Sequence, residues 1–323
     1  MNSEWAMPTA SYAIATYGLT KRFEGHTAVS EIELRVKPGE VYGLIGSNGA
    51  GKTTLIRMLA TAEVPTKGEI YLHGDRLLRD DSNPILKQRI GYLPDNFPLY
   101  EDLSVWDYLD YFARLYHLKQ PLRRRRLQEV LELVQLENKR QSIIATLSRG
   151  MKQRLSLART IIHQPILLLL DEPVSGLDPQ ARQQFRQIIK ILQEAGMTIL
   201  ISSHVLSDLA ELCTSVGIME LGFLVESATL PELYQRLSRQ QIILSTLGKM
   251  EILQQKLSQN SLVKTWEIIP QSNRLKVDFM GGESDCAELL RSLVLADIPL
   301  TEFHCSQEDL ESIFLNLGHR SLW

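Results

Sequence analysis

Cysteine is scarce in this sequence of 323 residues: Cys213, Cys286 and Cys305 are the three present, and no two of them form a CxxC pair. This number and spacing exclude a cysteine zinc site and a disulfide framework, and they favour a reducing compartment. Long apolar runs are also missing, because nowhere do about 20 apolar residues follow one another. The N-terminal stretch has neither the basic start nor the apolar core of a signal peptide. We therefore expect a chain without a membrane span, which would need another subunit to act across a bilayer.

An excess of positive charge is missing as well. Lysine and arginine total 35 against 38 acidic residues, which gives a net charge of −3. A general nucleic-acid binder is usually basic overall, so we expect no nucleic-acid partner. The short basic run Arg123–Arg126 begins a predicted amphipathic helix. A solvated face is the favoured interpretation of this run, and contact with anionic lipid headgroups is the alternative.

Apolar sequence suitable for a large core is present. The chain is 44% hydrophobic and 23% charged, as in globular proteins, and its length suits one large domain or two ordinary ones. Residues 12–74 are rich in strand patterns, including SYAIATYGLT and EIELRV, whereas residues 95–141 are predicted to be helical, with SVWD (Ser104 to Asp107) as a capping box. The apolar runs VYGLIG, PILLLLDEP and TILISSH are typical of buried parallel strands. Their alternation with helices predicts a parallel α/β core.

The composition changes after about Leu230. Residues 239–319 are predicted to form strand, helix, strand, strand, helix, strand and helix, with strands near QIILST, VKTWEII, RLKVDFM and IPLTEFH and a last helix in QEDLESIFLNL. The first six elements match a split βαβ, or ferredoxin-like, order. We therefore divide the chain into a large domain at 12–230 and a small α+β domain at 231–323. No internal repeat is visible.

A glycine-rich loop predicts phosphate chemistry, and Asp171, Glu172 and His204, which follow later in the chain, fit the same interpretation. The loop GSNGAGKT fits the P-loop pattern and lies between a predicted strand and a predicted helix. Its glycines let backbone N–H groups face phosphate oxygens, Lys52 should reach the β- and γ-phosphates, and the Thr53 hydroxyl should bind Mg²⁺. Asp171, at the end of a buried strand, is suited to hold Mg²⁺, Glu172 to deprotonate an attacking water, and His204 to donate to the γ-phosphate. Without the P-loop, a solvated acidic pair and a structural histidine would be the ordinary interpretation.

The stretch TLSRGMKQRLSLART, residues 146–160, contains a second loop of anion-binding type. Ser148 and Gly150 stand at the start of a basic helix, and a helix N-terminus favours anions. A chain that already has a P-loop does not obviously need a second phosphate loop.

Five motifs in this order resemble the nucleotide-binding subunits of ATP-binding cassette (ABC) transporters: the P-loop, LSRGM as signature loop, LLLLDE, SGLD as D-loop, and SSH. The resemblance runs from about Tyr12 to Glu226. It implies a cassette with a parallel core sheet, an antiparallel β subdomain and a helical subdomain at about 95–150. It also implies ATP hydrolysis, Mg²⁺ held by Thr53 and Asp171, Glu172 and His204 as catalytic residues, and a nucleotide site formed by Phe23, Gly46, Ser47, Asn48, Gly49, Ala50, Gly51, Lys52, Thr53, Thr54, Asp95, Ser148, Gly150 and Asp178.

Two cassettes of this family pair head to tail, so the resemblance implies that Ser148 and Gly150 cap ATP on the partner's P-loop. Asp178 would touch that same loop, and Phe23 would stack on adenine, with an ordinary core phenylalanine as the alternative. The implied partners are a second cassette, identical or related, and a separate multi-span membrane subunit. The chain would lie on the cytoplasmic face of the membrane. The LSRGM variant, and a C-terminal region similar to that of drug and polysaccharide exporter ATPases, point to export.

The sequence departs from the family pattern in two places. Asp95 follows GYLP where the family usually has Gln or Glu, and its shorter side chain leaves a water-mediated contact open. In the signature, Arg149 replaces a glycine and Met151 a glutamine. Two alternatives remain: a soluble ABC ATPase acting on ribosomes or nucleic acid, and a regulatory cassette of low turnover. Asp95 alone supports the latter, and an intact Glu172 and His204 weigh against it.

Overall fold

The computed structural model describes residues 12–77, 84–205, 209, 211–237, 240–269 and 274–307. The chain divides into two compact units, and the boundary lies between Leu230 and Pro231. Each unit has its own sheets and its own cluster of buried apolar side chains.

The first unit combines two sheets with a set of helices. Its strands are β1 (Ile14–Phe23), β2 (His26–Ile32), β3 (Arg35–Val36), β4 (Val41–Ile45), β5 (Lys67–Leu72), β6 (Asp75–Arg76), β7 (Ile90–Leu93), β8 (Leu167–Leu170), β9 (Thr198–Ser203), β10 (Ser215–Glu220) and β11 (Phe223–Thr229). Its helices are α1 (Lys52–Leu59), α2 (Pro84–Gln88), α3 (Val105–Leu115), α4 (Leu122–Leu133), α5 (Arg149–Ile161) and α6 (Pro179–Glu194). Helix α7 (Leu230–Leu237) begins at the boundary between the units.

The core sheet has the strand order β11-β10-β4-β9-β8-β7. Strands β10, β4, β9, β8 and β7 run parallel, and β11 is antiparallel to β10. Every residue of β4, β8 and β9 is buried, which is why these strands have continuous apolar sequences rather than an alternating pattern. The predicted parallel α/β core is thereby confirmed.

The second sheet is antiparallel, with the order β2-β1-β5-β6 and with β3 paired to β1. The strand-type stretch EIELRV is divided between two strands, because β2 ends at Ile32 and β3 begins at Arg35. The Thr16 hydroxyl lies in the break, where it donates to the Ile32 carbonyl at 2.9 Å and accepts from the Leu34 N–H at 2.8 Å. These two bonds replace ladder bonds that an unbroken strand would have made.

Helices α3, α4 and α5 form the helical part of the first unit. Ser104 is the N-cap of α3, and its hydroxyl oxygen accepts from the Asp107 N–H at 3.1 Å. The Asp107 carboxylate accepts from the Ser104 hydroxyl at 2.6 Å rather than from the Ser104 backbone N–H, so the predicted capping box takes a different form. The prediction of a solvated face for Arg123–Arg126 is also partly wrong. Arg126 donates to the carbonyls of Ile161 and Ile162 at the end of α5, where a positive charge is favourable.

The second unit contains β12 (Gln240–Thr246), α8 (Met250–Gln259), β13 (Val263–Ile268), β14 (Arg274–Phe279), α9 (Glu283–Leu295) and β15 (Leu300–Gln307). These are the six predicted elements in the predicted order. They form an antiparallel sheet of order β13-β14-β12-β15, over a core that includes Ile242, Leu253 and Leu289. The relation of this unit to ferredoxin-like folds stays a prediction, and the expected last helix lies outside the described residues.

Candidate functional site

Most of the predicted site residues follow the carboxyl ends of parallel strands. The P-loop follows β4, Asp171 follows β8, and His204 follows β9, while Asp95 stands two residues after β7. Because these strands are parallel neighbours in the order β4-β9-β8-β7, their carboxyl ends lie at one edge of the sheet. The fold therefore brings residues from four distant segments to the same edge.

The P-loop forms a tight turn that only glycine can occupy at two positions. A Cβ on Gly46 would lie 2.4 Å from the Met219 carbonyl oxygen, and one on Gly51 would lie 2.3 Å from the Ala28 carbonyl oxygen. Gly51 also has φ of +102°, a conformation that other residues rarely adopt. Residues 47–49, which lie between these two glycines, are exposed, so the backbone of the loop is accessible to a ligand. Ala50 and the N-cap Gly51 then lead into α1, which begins at Lys52 and includes Thr53 and Thr54.

Lys52 is almost completely buried and its ammonium is held by the loop and by an acid. Its Nζ donates to the Gly46 carbonyl at 2.7 Å and to the Ser47 carbonyl at 3.3 Å. The same nitrogen lies 3.3 Å from Oε1 of Glu172. The predicted phosphate-binding lysine and the predicted general base thus form an ion pair.

Asp171 is buried beside the P-loop helix. Its Oδ1 accepts from the Thr53 hydroxyl at 3.1 Å and from the Ser202 hydroxyl at 2.8 Å, whereas its Oδ2 is buried without a hydrogen-bond partner. Burial raises the pKa of the Asp171 carboxyl, the bonds from Ser202 and Thr53 act in the opposite direction, and the nearby charges of Glu172 and Asp95 raise it further. A cation at Oδ2 would satisfy this carboxylate.

Ser202 also lies in the candidate site, although the sequence motifs did not predict it. It is fully buried on β9. Its hydroxyl donates to Asp171 and accepts from the Glu172 N–H at 3.0 Å, so one oxygen orients both acids. The motif SSH contains this residue: its first serine, two positions before His204, faces the neighbouring strand β8.

Glu172 and His204 form a close pair. Nδ1 of His204 lies 2.7 Å from Oε2 of Glu172, and the His204 N–H donates to the same oxygen at 3.4 Å. Glu172 has a φ of +48°, an unusual conformation for a residue with a side chain. Lys52 on one side and His204 on the other therefore hold both carboxylate oxygens.

Other predicted residues lie elsewhere in the first unit. Phe23 ends β1 in the antiparallel sheet, with 45% of its surface exposed and the Lys21 ammonium 4.9 Å from its ring centre. Asp178 is the N-cap of α6, where it accepts from the Ala181 N–H at 2.9 Å. A partly exposed ring can stack on a ligand, and the Asp178 cap fixes the end of the D-loop.

Ser148 and Gly150 lie at the start of α5, a helix that packs against β7 at the far edge of the core sheet. Ser148 is exposed as the N-cap and accepts from the Met151 N–H at 3.3 Å. Gly150 is packed so closely on α6 that a Cβ would lie 2.7 Å from that of Ala181. Arg149 donates to the Ser175 carbonyl at 3.0 Å, which joins the signature loop to the D-loop.

Comparisons with known proteins identify the family of the chain. The profile of the ABC transporter family matches residues 29–175. The chain is 32% identical over 313 residues to the bacitracin transport ATP-binding protein BcrA of Enterococcus faecalis, covering 96% of this chain and 98% of that protein. The chain belongs to the ABC transporter family of ATP-binding proteins.

Two further relatives support this assignment. The linearmycin resistance ATP-binding protein LnrL of Bacillus subtilis is 32% identical, over 94% of this chain and 97% of its own length. The dimeric bacterial ABC transporter cassette MJ0796 superposes with a TM-score of 0.62 at 25% identity, covering 67% of this chain and 98% of that one. As a member of this family, the protein binds and hydrolyses ATP. Within the described ranges, no helix has the length and apolarity that crossing a bilayer requires.

Proposed function

We propose that the protein is the ATPase subunit of an export complex, in which two cassettes close head to tail around ATP and Mg²⁺ and drive a separate membrane subunit. The observation that carries this proposal is the set of contacts joining Lys52, Thr53, Asp171, Glu172 and His204 at one edge of the sheet. These are the groups that phosphoryl transfer to water requires.

The loop fits a nucleotide phosphate. The tight packing of Gly46 and Gly51 leaves backbone N–H groups and the start of α1 to face the phosphates, which favours anions. A phosphate that reaches the loop competes with Glu172 for the Lys52 ammonium. Nucleotide binding would thereby free a carboxylate oxygen for the chemical step.

The residues at the loop also fit Mg²⁺, which prefers oxygen ligands and is usually completed by substrate phosphates and water. Thr53 and Asp171 supply oxygens on one side, and the buried Oδ2 of Asp171 has no other partner. In the part of the chain that is described, no group of three or more His, Cys, Asp or Glu side chains could hold a metal alone. Phosphate oxygens would have to complete the site, where Mg²⁺ would neutralise charge on the transferring phosphoryl group.

Glu172 would act as the general base and His204 as the group that orients it. His204 uses Nδ1 to contact Glu172, so Nε2 remains for the γ-phosphate. In this arrangement His204 would connect the Glu172 carboxylate to the phosphate on which charge develops during hydrolysis.

The signature loop would act on the partner's nucleotide. Helix α5 packs on β7, which is three strands away from β4 and hence roughly 14 Å from the strand that carries the P-loop. The exposed Ser148 and the N-terminus of α5 can therefore serve a neighbouring cassette more readily than their own P-loop. The similar cassette MJ0796 is dimeric, which supports this arrangement.

The relatives named for bacitracin transport and linearmycin resistance support a transport complex that exports its substrate. We propose that the membrane subunit is a separate chain and that the ATPase lies against its cytoplasmic face.

The variant Glu172→Gln tests the core of the proposal. Without its general base the protein should bind Mg·ATP, fail to hydrolyse it, and accumulate as a dimer whose mass doubles in light scattering after gel filtration. Adding Ser148→Arg at the exposed signature position should return the variant to a monomer, with nucleotide binding retained. A Glu172→Gln protein that stays monomeric in excess Mg·ATP, or a double variant that still dimerises, would contradict the head-to-tail arrangement.

A further inference from the structure

The helical part of the first unit contains a cavity that the ATPase site does not use. It has a volume of about 430 Å³ and lies between α3, the start of α4 and the segment that follows α4. Four arginines and a single carboxylate line it, which leaves an excess of three positive charges: Arg114, Arg123, Arg124, Arg140 and Asp110. Trp106 forms part of its wall.

Several contacts fix the walls of this arginine cavity. The Asp110 carboxylate lies between two helices, with Oδ2 2.7 Å from Nε of Arg114 and Oδ1 2.8 Å from Nε of Arg123. The backbone N–H of Trp106 donates to the Arg140 carbonyl at 2.9 Å, which attaches the segment after α4 to the start of α3. These contacts hold the three walls of the cavity together before any ligand arrives, which lowers the entropy lost on binding.

Two of the four guanidinium groups lack an acidic partner. Asp110 balances one of the two positive charges of Arg114 and Arg123. Arg124 and Arg140 form no ion pair with any residue that the structure describes. Their neighbour Arg125 is different, because its Nε lies 2.8 Å from Glu129 and it does not line the cavity. Like charges held together without a counter-charge repel one another, so an anionic ligand is the natural complement.

We propose that the arginine cavity binds a phosphate-bearing anion. Planar guanidinium groups recognise phosphate through paired hydrogen bonds, and the several oxygens of a phosphate can accept from more than one guanidinium at a time. The volume falls in the usual range for small-molecule sites, so the ligand is larger than a bare ion and its remainder would lie against the Trp106 ring. The phosphate could belong to a free metabolite or to a phospholipid headgroup.

The first test is calorimetric titration of the full chain with inorganic pyrophosphate. Because the P-loop also binds phosphates, every sample carries Lys52→Ala. Arg124→Gln together with Arg140→Gln should weaken pyrophosphate binding at least about tenfold, since charge-assisted hydrogen bonds are lost. Arg125→Gln removes one positive charge from the same basic run as Arg124, but outside the cavity, and should leave the affinity unchanged. Both altered arginines are exposed and make no ion pair, so folding should not be affected.

The second test separates the two sources of phosphate, using sedimentation with vesicles of phosphatidylglycerol and of phosphatidylcholine. Binding to the anionic vesicles that Arg124→Gln with Arg140→Gln abolishes, and Arg125→Gln does not, would assign the cavity to a headgroup. Pyrophosphate binding with no such vesicle binding would assign it to a free phosphate. The proposal is overturned if neither probe binds, or if the cavity variant and the Arg125 control behave alike with both probes.

Discussion

Removal of the Ser202 hydroxyl tests how the two acids of the ATPase site are held. In Ser202→Ala the Glu172 N–H loses its acceptor and Asp171 loses one of its two donors. A buried polar group left without a partner costs about 1–3 kcal/mol, so we expect a loss of about 2 kcal/mol in the free energy of unfolding. For a unit of this size that corresponds to a fall of roughly 4–8 °C in the melting temperature.

The same substitution should make stability depend more strongly on pH. Burial already raises the pKa of Asp171, and the Ser202 bond opposes that rise, so the pKa should increase further in Ser202→Ala. A carboxyl whose pKa is raised by folding lowers stability as the pH rises through the interval between its unfolded and folded values. The stability difference between the variant and the wild type should therefore be larger near about pH 7 than near about pH 4.

The rate of ATP hydrolysis distinguishes a role of Ser202 in positioning Glu172 from a purely structural role. Because Ser202 positions the backbone of Glu172, we expect kcat for ATP hydrolysis to fall about tenfold to a hundredfold. Ser156→Ala is the matched control: this serine is also buried, but its hydroxyl donates to the Lys152 carbonyl within α5 and contacts neither acid. Equal losses of activity in the two variants, or a wild-type kcat in Ser202→Ala, would refute the reasoning.

Two further substitutions test the departures from the family pattern. Arg149→Gln removes the bond from the Arg149 guanidinium to the Ser175 carbonyl. In steady-state assays it should leave the KM for ATP unchanged and lower kcat about fivefold or more. An unchanged kcat would mean that the contact is incidental. Asp95→Gln should keep or raise the ATPase rate, and its acid limb should move to lower pH, since the charge of Asp95 raises the pKa of Asp171. Activity at background level in Asp95→Gln would show that Asp95 has a role of its own.

The fold was predictable where burial controls the sequence. Strands β4, β8 and β9 are buried on both faces, so their apolar runs identify them without knowledge of their neighbours. The break between β2 and β3 was not predictable, because it depends on the Thr16 hydroxyl, which approaches from another strand. The partial burial of Arg126 likewise depends on the end of α5, a contact across 35 residues of sequence.

The site was predictable where a motif fixes the backbone, and less so where a contact comes from a neighbouring strand. The P-loop has a spacing of its own that predicts a phosphate site, whereas the acids after β8 are predicted to be functional only because the P-loop is present. The role of Ser202 requires the knowledge that β9 lies between β4 and β8 in the sheet, which places its side chain against Asp171. The Lys52–Glu172 ion pair has the same origin, since it joins the loop after β4 to the residue after β8.

The contacts of Ser175 suggest why the two phosphate loops of one chain need not act independently. Its carbonyl accepts from Arg149 of the signature loop, and its N–H donates to the Glu172 carbonyl at 3.1 Å. A displacement of the signature loop by the partner's nucleotide would therefore reach, through Ser175, the backbone of Glu172, the proposed general base. Gly176 lies directly under the Arg149 guanidinium, where a Cβ would be 2.5 Å from its nitrogens, so this connection leaves little free space. If two cassettes pair head to tail, each chain would in this way sense closure of the partner's site while holding its own Glu172 in position.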